Sequence, residues 1–240
     1  MEKLKNMKKS KKAIIILCAA AVAAAVFGGI FLMARGRGGV DLSGNVCYFD
    51  ERVFFGKNAN FAVSVYSGRG EKNFLTDGKA TDVESFCKIV LNVLNPAYSK
   101  IASFDCEVFF EDGSHSPGKI EKDPLTLEYT ADIEAAEIKN VKSVYIKYAA
   151  AKGDSIDVKG AAEGGISAEG AFNAAVKVFS KEIKENTKNG GFDREIYVKF
   201  VSGYGGGEPH YWYVAFIASD SDYWAVLIDA KTGKTELKRG

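Results

Sequence analysis

The sequence contains little proline and little histidine, and each shortage excludes a class of protein. Only 4 of its 240 residues are Pro, while 47% are apolar and 12% are aromatic, so the chain has the composition of a folded protein and not of a disordered stalk. Its 2 histidines, His115 and His210, lie far apart and lack the closely spaced His and Cys residues of a zinc site. We expect both to be loop residues and predict no metal site.

Motifs that would indicate catalysis are also missing. There is no Gly-x-Ser-x-Gly elbow, no Walker loop and no His-Glu-x-x-His sequence. The glycine-rich segment 203–207 is predicted to join two strands, whereas a phosphate-binding loop opens a helix. The acidic pair Glu111-Asp112 lacks the alternating oxygen ligands of a calcium loop. The sequence therefore predicts a protein without catalytic residues, cofactor or metal, and not an enzyme.

The chain has only 4 cysteines, and three of them, an odd number, lie outside the N-terminal segment. Cys18 lies in an apolar run, which leaves Cys47, Cys87 and Cys106. In an oxidising compartment one disulfide could form, between Cys87 and either Cys47 or Cys106. Cys106, however, falls on the apolar face of a predicted strand, where a free thiol behaves as a small hydrophobic group. The sequence favours free thiols over a disulfide.

The first 34 residues are predicted to anchor the chain in a membrane. Residues 1–12 contain six lysines and one glutamate, and residues 13–34 carry no charge. About 20 apolar residues suffice to cross a bilayer as a helix. Because lysine clusters stay in the cytoplasm, we expect a cytoplasmic tail at 1–12, a single membrane span at 13–34 and an extracytoplasmic remainder. If the segment is instead a cleaved signal peptide, with Ala23-Ala24-Ala25 as the cleavage site, the protein is secreted.

The charge of the exterior part argues against nucleic acid as a partner. Residues 1–37 hold 8 of the 32 Lys and Arg residues and 1 of the 31 Asp and Glu residues, which leaves 24 positive and 30 negative side chains from Gly38 onward, a net charge of −6. A nucleic-acid-binding domain needs a basic surface. We therefore expect contact with the membrane only through the N-terminal helix.

Residues 40–151 are predicted to form an all-β domain. Period-two alternation occurs in six or seven short runs, clearest where Phe104, Cys106, Val108 and Phe110 share one face. Glu111-Asp112-Gly113-Ser114 is a hairpin turn, because Asp and Gly tolerate the backbone that it needs. This spacing predicts a β-sandwich of the immunoglobulin kind. The glycines of segment 152–165 predict a boundary with a second domain.

Residues 160–240 are predicted to form one helix on an antiparallel sheet. Ser167 is a plausible N-cap, and an apolar stripe follows at helical spacing until Asn189-Gly190-Gly191 turns the chain, formed by Phe172, Ala175, Val176, Phe179 and Ile183. Three strands are predicted near 194–201, 211–218 and 223–229. The complete predicted fold, combining α+β and all-β parts, is a membrane helix, a β-sandwich and this smaller domain.

The order of elements in residues 160–240 resembles a PepSY domain. The resemblance rests on the capped helix at Gly165–Glu169, the aromatic strands and the closing Asp229-Ala230-Lys231-Thr232-Gly233 turn. It implies a small extracytoplasmic module that lacks catalytic residues and either restrains a peptidase or binds as an accessory domain. Residues 40–151 resemble no family closely enough to be assigned.

Aromatic residues on the second predicted strand form the candidate binding surface. Alternation places Tyr211 and Tyr213 on one face and Trp212 on the other. Because the helix must cover one face, either the tyrosines or the tryptophan are left for a protein or peptide partner in the cell envelope. The alternative is that all three fill the core, since aromatic residues dominate cores and interfaces alike.

Two functions are consistent with these features. The first is a membrane-anchored, non-catalytic binding protein whose PepSY-like domain modulates a peptidase or another envelope protein. The second is a structural or sensory ectodomain in which the β-sandwich is the recognition module. An exposed aromatic sheet face favours the first, and an apolar patch confined to the sandwich favours the second.

Overall fold

The computed structural model describes residues 40–71, 78–124, 126–134, 139–149, 152–188, 191–203 and 207–239. Within them no helix has both the length and the apolar character needed to cross a membrane, and the predicted span at 13–34 lies outside them. The strands are β1 (Val46–Lys57), β2 (Phe61–Glu71), β3 (Val83–Val93), β4 (Ser103–Phe110), β5 (His115–Lys122), β6 (Tyr129–Asp132), β7 (Val141–Ala149), β8 (Lys152–Asp157), β9 (Lys159–Gly160), β10 (Thr187–Lys188), β11 (Gly191–Phe192), β12 (Glu195–Gly203), β13 (Gly207–Ser219), β14 (Asp222–Asp229) and β15 (Thr235–Arg239). The helices are α1 (Ala168–Val178) and α2 (Ser180–Glu185), and short 3-10 turns span Ser43–Asn45 and Pro96–Tyr98.

In the described part of the chain, thirteen strands form one continuous sheet in the order β15-β14-β13-β12-β1-β2-β3-β6-β5-β4-β7-β8, with β9 paired to β1. Among the described strands only β1 and β12 pair in parallel, and the other pairs are antiparallel. The predicted fold, a β-sandwich followed by a separate helix-on-sheet domain, is therefore wrong. A sandwich has two sheets stacked face to face, whereas here the strands of both halves belong to the same sheet.

The strands of the first half close on themselves. Only Val158 separates the end of β8 from the start of β9, and β9 pairs with β1 at Phe54 and Phe55. The path β1-β2-β3-β6-β5-β4-β7-β8 therefore returns to its start. We call this part the strand ring. Gly56 allows the closure, because a Cβ there would collide with the carbonyl oxygen of Asp157. Segment 152–165, in which the glycines predicted a domain boundary, thus supplies the strands that close the ring.

Apolar side chains fill the ring. Alternation along β4 places Phe104, Cys106, Val108 and Phe110 inside, as the sequence predicted. The predicted hairpin turn is confirmed: Gly113 has a φ of +84°, and the Asp112 carboxylate accepts hydrogen bonds from the backbone N–H and hydroxyl of Ser114. Other strands contribute the rest of this core, namely Phe61, Val63, Val65, Ile89, Leu91, Ile120, Val144, Ile146 and Ile156.

A second core lies between the helices and one face of β12, β13 and β14. The predicted N-cap of α1 is confirmed, because Ser167 Oγ accepts a hydrogen bond from Gly170 N at 3.1 Å. The single helix expected there is instead two, since the chain leaves helical geometry at Phe179. The apolar stripe faces this sheet: Phe172, Ala175, Phe179 and Ile183 are buried, and Val176 is half-buried.

This second core also uses residues from the start of the chain. Leu42 and Val53 belong to the same cluster as Phe172, Trp212 and Phe216. Strand β1 therefore contributes both to the strand ring and to the helix-covered sheet. Because β1 packs into both cores, the two halves of the protein are not separate layers.

We expect Phe179→Ala to lower the free energy of unfolding by about 3–5 kcal/mol, because it leaves a cavity in this core. The Phe179 ring is fully buried and lies 5.6 Å from Phe216 and 5.9 Å from Trp224. Both tryptophans of the chain are in this cluster, so their fluorescence during urea denaturation reports the loss. Leu127→Ala is the control, since Leu127 is 64% exposed. Equal losses in the two variants would contradict the assignment of this core.

Candidate functional site

The helices cover one face of β13, and the aromatic side chains on that face belong to the core. Trp212 is only 2% exposed, and its indole N–H donates a hydrogen bond to the Ile166 carbonyl at 3.0 Å. Its ring also meets Phe200 edge-on, with centroids 4.8 Å apart. Tyr211 and Tyr213 lie on the opposite face and are half-buried. The structure thus separates the three predicted binding residues: Trp212 belongs to the core, and the two tyrosines remain near the surface.

Tyrosines from four strands share the face that the helices leave uncovered. The register pairs Tyr197 with Ala215 and with Tyr48, and pairs Tyr213 with Leu227. We call this surface the tyrosine face; it consists of Tyr48, Tyr197, Tyr211, Tyr213 and Tyr223 together with Lys199 and Arg239. Tyr197 is buried, and the other four tyrosines are half-buried. Burial is the main cause that raises the pKa of Tyr213, and neighbouring Tyr223 raises it further.

Two cations lie over these rings. The Lys199 ammonium is 4.8 Å from the ring centroid of Tyr48 and 5.7 Å from that of Tyr197. The Arg239 guanidinium is 4.5 Å from the ring centroid of Tyr223. A cation over a ring face is attracted by the ring quadrupole, so both side chains are held against the sheet. The face is therefore aromatic and carries positive charge at its surface.

At one end of the tyrosine face, Ala80 and Thr81 pack over a site that contains buried carboxylates. The hydroxyl of Tyr197 donates a hydrogen bond to Glu195 Oε2 at 2.7 Å. Glu71 accepts a hydrogen bond from the backbone N–H of Thr81, and both carboxylates are buried beside Cys47. Burial, followed by these two charges, raises the pKa of the Cys47 thiol. The thiol is protonated here and is a poor nucleophile.

Asp50 lies where β1 separates from β12. The two strands pair as far as Phe49 and Val198, and the backbone N–H of Phe200, two residues further along β12, donates a hydrogen bond to Asp50 Oδ2 at 2.8 Å. A carboxylate thus takes the place of a strand carbonyl at the point of separation. Asp50 is 2% exposed, and its Oδ1 has no hydrogen-bond partner in the described part of the chain. Burial raises its pKa to about 6, against the opposing effects of Phe200 N–H, Tyr48, Lys199 and Lys88.

We expect Asp50→Asn to stabilise the protein at neutral pH and to have little effect at pH 4. The folded-state pKa of about 6 exceeds the ordinary value of 3.8, so the protonated form favours folding and its contribution is lost as the pH rises through 6. Asparagine keeps an oxygen for Phe200 N–H and carries no charge. The gain in unfolding free energy should grow to about 3 kcal/mol by pH 7.5, since a tenfold change in proton affinity is worth about 1.4 kcal/mol.

Denaturation at a series of pH values measures this difference. Asp105→Asn is the matched control, because it makes the same chemical change at an exposed position. A stability difference between Asp50→Asn and the unchanged protein that stayed constant from pH 4 to 7.5 would disprove the role given to this carboxyl group.

The two histidines lie in strands and not in loops, which corrects the expectation from the sequence. His115 begins β5, where its ring stacks near Phe109 and its Nδ1 is 3.5 Å from Glu107. His210 lies in β13 with its ring 5.3 Å from that of Phe55. They are in different parts of the sheet, and in the described ranges no group of three or more His, Cys, Asp or Glu residues could hold a metal ion.

The three cysteines outside the N-terminal segment are free and buried. Cys87 and Cys106 both point into the strand ring. Burial raises the pKa of Cys87 to about 11 and that of Cys106 to about 12. They are therefore inert core thiols, as Cys106 was expected to be from its place on an apolar face.

Two surface grooves lie away from the tyrosine face. One, of about 470 Å³, is on the outside of the strand ring, where the side chains of Asp105, Glu107, Pro117, Tyr145 and Lys147 line it together with the strand positions Cys106 and Gly118 between them. The other, of about 220 Å³, lies beside the turn after β14, and its lining includes the polar residues Glu163, Glu208, His210, Asp229 and Lys231.

Several residues of the tyrosine face were not predicted from the sequence. Tyr197, Lys199 and Tyr223 could have been found, because they alternate with buried residues along β12 and β14. Tyr48 could not, because it reaches this face only through the parallel pairing of β1 with β12. Comparison of the chain with protein-family models, with curated proteins and with solved structures gives no match.

Proposed function

We propose that this chain is a membrane-anchored, extracytoplasmic binding protein that has no catalysis of its own and contacts a partner through the tyrosine face. The observation that carries the proposal is the set of half-buried tyrosines on a sheet face that the helices leave open. The lysine-rich tail at 1–12 and the uncharged run at 13–34 support the anchor and its orientation.

The chemistry of the face suits recognition of a protein or peptide. Tyrosine gives a large apolar contact at a low cost in side-chain entropy and keeps a hydroxyl for hydrogen bonding. Because Lys199 and Arg239 are already held against tyrosine rings, they lose little freedom when a partner binds. Both are cations on an exterior part with a net charge of −6, so a partner segment that bears carboxylates fits this face best.

The resemblance to a PepSY domain suggests the kind of partner. It leads us to propose a peptidase or another envelope protein whose activity is modulated on binding. The order of the elements supports this reading, since a capped helix precedes the three aromatic strands β12, β13 and β14.

We expect replacement of Tyr213 to weaken partner binding without unfolding the protein. If Tyr213 is an interface hot spot, Tyr213→Ala should weaken binding by about 2 kcal/mol or more. Its unfolding free energy should fall much less than that of Phe179→Ala, because the Tyr213 ring is half-buried at the surface. The measurement is site-specific photo-cross-linking in native membranes, with benzoylphenylalanine in place of Tyr213, followed by affinity measurement on the captured partner.

Tyr145 provides the matched control. It is also a half-buried tyrosine in the sheet, but it lies on the outside of the strand ring. Cross-linking from position 213 and not from position 145 supports the tyrosine face. Cross-linking from position 145 alone would transfer the binding role to the ring.

The second candidate function is a sensory or structural ectodomain in which the strand ring, found in place of the expected sandwich, is the recognition module. The larger groove favours it, because Tyr145 and Pro117 lie there beside Asp105, Glu107 and Lys147. A tyrosine ring bordered by charged side chains suits a small polar ligand. On this reading Tyr145→Ala abolishes ligand response and Tyr213→Ala leaves it intact.

The proposed topology has its own test. Protease added to intact, wall-stripped cells should remove the C-terminal end, including residues 224–240, while the chain remains in the membrane fraction. Complete protection of that end would show the reverse orientation. Release into the medium with a new N-terminus near Val26 or Arg35 would show a cleaved signal peptide.

A further inference from the structure

Strand β15 is the end of the 13-stranded sheet. It pairs with β14 on its inner side, and no described strand pairs with its outer side. All five of its residues, Thr235–Arg239, are exposed. An unpaired strand edge presents a row of backbone donors and acceptors that another strand can pair with.

A row of side chains across the tyrosine face ends at this edge. The register aligns Lys199 with Tyr213, Tyr213 with Leu227 and Leu227 with Leu237. Leu227 is half-buried, whereas Leu237 is 60% exposed. Among the described strands none places an apolar neighbour on the outer side of Leu237, where a further strand would supply one.

The sequence of β15 is complementary to itself in an antiparallel pair. If two copies pair about a two-fold axis at Leu237, Leu237 lies opposite Leu237 of the second copy, and Glu236 lies opposite Lys238 twice by symmetry. Opposite charges and apolar residues that face each other across strands stabilise a sheet. We propose that the outer edge of β15 pairs with β15 of a second copy, which makes a two-fold symmetric dimer with one continuous sheet.

The charged residues of β15 make this pairing selective. Lysine and arginine on an edge, together with a bulge, discourage pairing with arbitrary strands. Lys238 and Arg239 carry this charge, and β15 has one extra residue between Thr235 and Leu237 in its pairing with β14. A pairing strand must place a carboxylate opposite Lys238 to compensate this positive charge, and Glu236 of the second copy supplies that carboxylate. Lys238 already contacts Glu182 at 3.1 Å, so the pairing extends an existing ion pair.

The dimer would also join the two tyrosine faces. A two-fold axis perpendicular to the sheet keeps directly opposed residues on the same face. The row Tyr213-Leu227-Leu237 thus continues into the same row of the second copy in reverse order. The inference does not depend on the proposed function, because it rests on the edge and not on the partner of the face.

Charge exchange at the edge tests the proposal with the full-length chain in detergent, by analytical ultracentrifugation over a range of concentrations. The unchanged chain should form a concentration-dependent dimer. Glu236→Lys should raise the dimer dissociation constant by about tenfold or more, since two attractive cross-strand pairs become repulsive. Lys238→Glu should do the same. A mixture of these two variants should form a heterodimer, and the double variant should dimerise again, because both restore opposite charges.

Cysteine cross-linking gives a second measurement that does not depend on charge. Directly opposed residues of an antiparallel pair have Cα atoms about 4.5–5.5 Å apart, which suits a disulfide. In a Cys18→Ser background, Leu237→Cys should give covalent dimers on copper-phenanthroline oxidation. Leu127→Cys is the matched control, because Leu127 is 64% exposed and Leu237 is 60% exposed.

A monomer at every concentration would overturn the proposal. So would a dimer that neither single charge variant weakens, a double variant that fails to restore the dimer, or equal cross-linking from positions 237 and 127. The two proposals can fail separately: Tyr213→Ala should lose partner capture and keep the dimer, whereas the charge variants of β15 change the dimer.

Discussion

Strand β1 pairs with three other strands, and the rest of the molecule depends on this arrangement. One edge of β1 pairs with β2 along its length. The other edge pairs with β12 near Val46–Phe49 and with β9 at Phe54 and Phe55. The sheet branches between these two partners. The strand ring can close only because β1 separates from β12 after Phe49, and the helix-covered sheet is held to the ring only because the first residues of β1 pair with β12.

The branch point also explains why polar groups are buried in this part of the protein. Where β1 turns away, a backbone N–H of β12 loses its strand partner, and buried donors need a hydrogen bond. The Asp50 side chain supplies the acceptor, although desolvation of its charge is unfavourable. The same parallel pairing brings Tyr48 beside Tyr197 and so completes the tyrosine face. Fold and candidate site therefore share one origin.

Local features of the fold could be predicted from the sequence, and long-range pairings could not. The N-cap at Ser167, the turn at Gly113 and the opposite faces of Tyr213 and Trp212 depend on residues within a few positions of one another. The closure of the ring depends on Gly56 lying against strand β8, far along the chain, and no local pattern records this contact. Nor did alternation reveal which face of β13 the helices would cover, because both faces carry aromatic residues.

The pairing of β1 with β12 has a consequence for how the chain acquires its structure. The hydrogen bond from Phe200 to Asp50 joins residues 150 positions apart. During synthesis the part of β1 near Val46–Phe49 must therefore wait for its β12 partner until most of the chain has been made, and contacts between distant residues form slowly. An open strand edge invites wrong partners throughout that interval, and an inward-pointing charge repels them. Asp50 is charged in the unfolded chain at neutral pH, so its carboxylate disfavours wrong strand pairings at this edge until β12 is available.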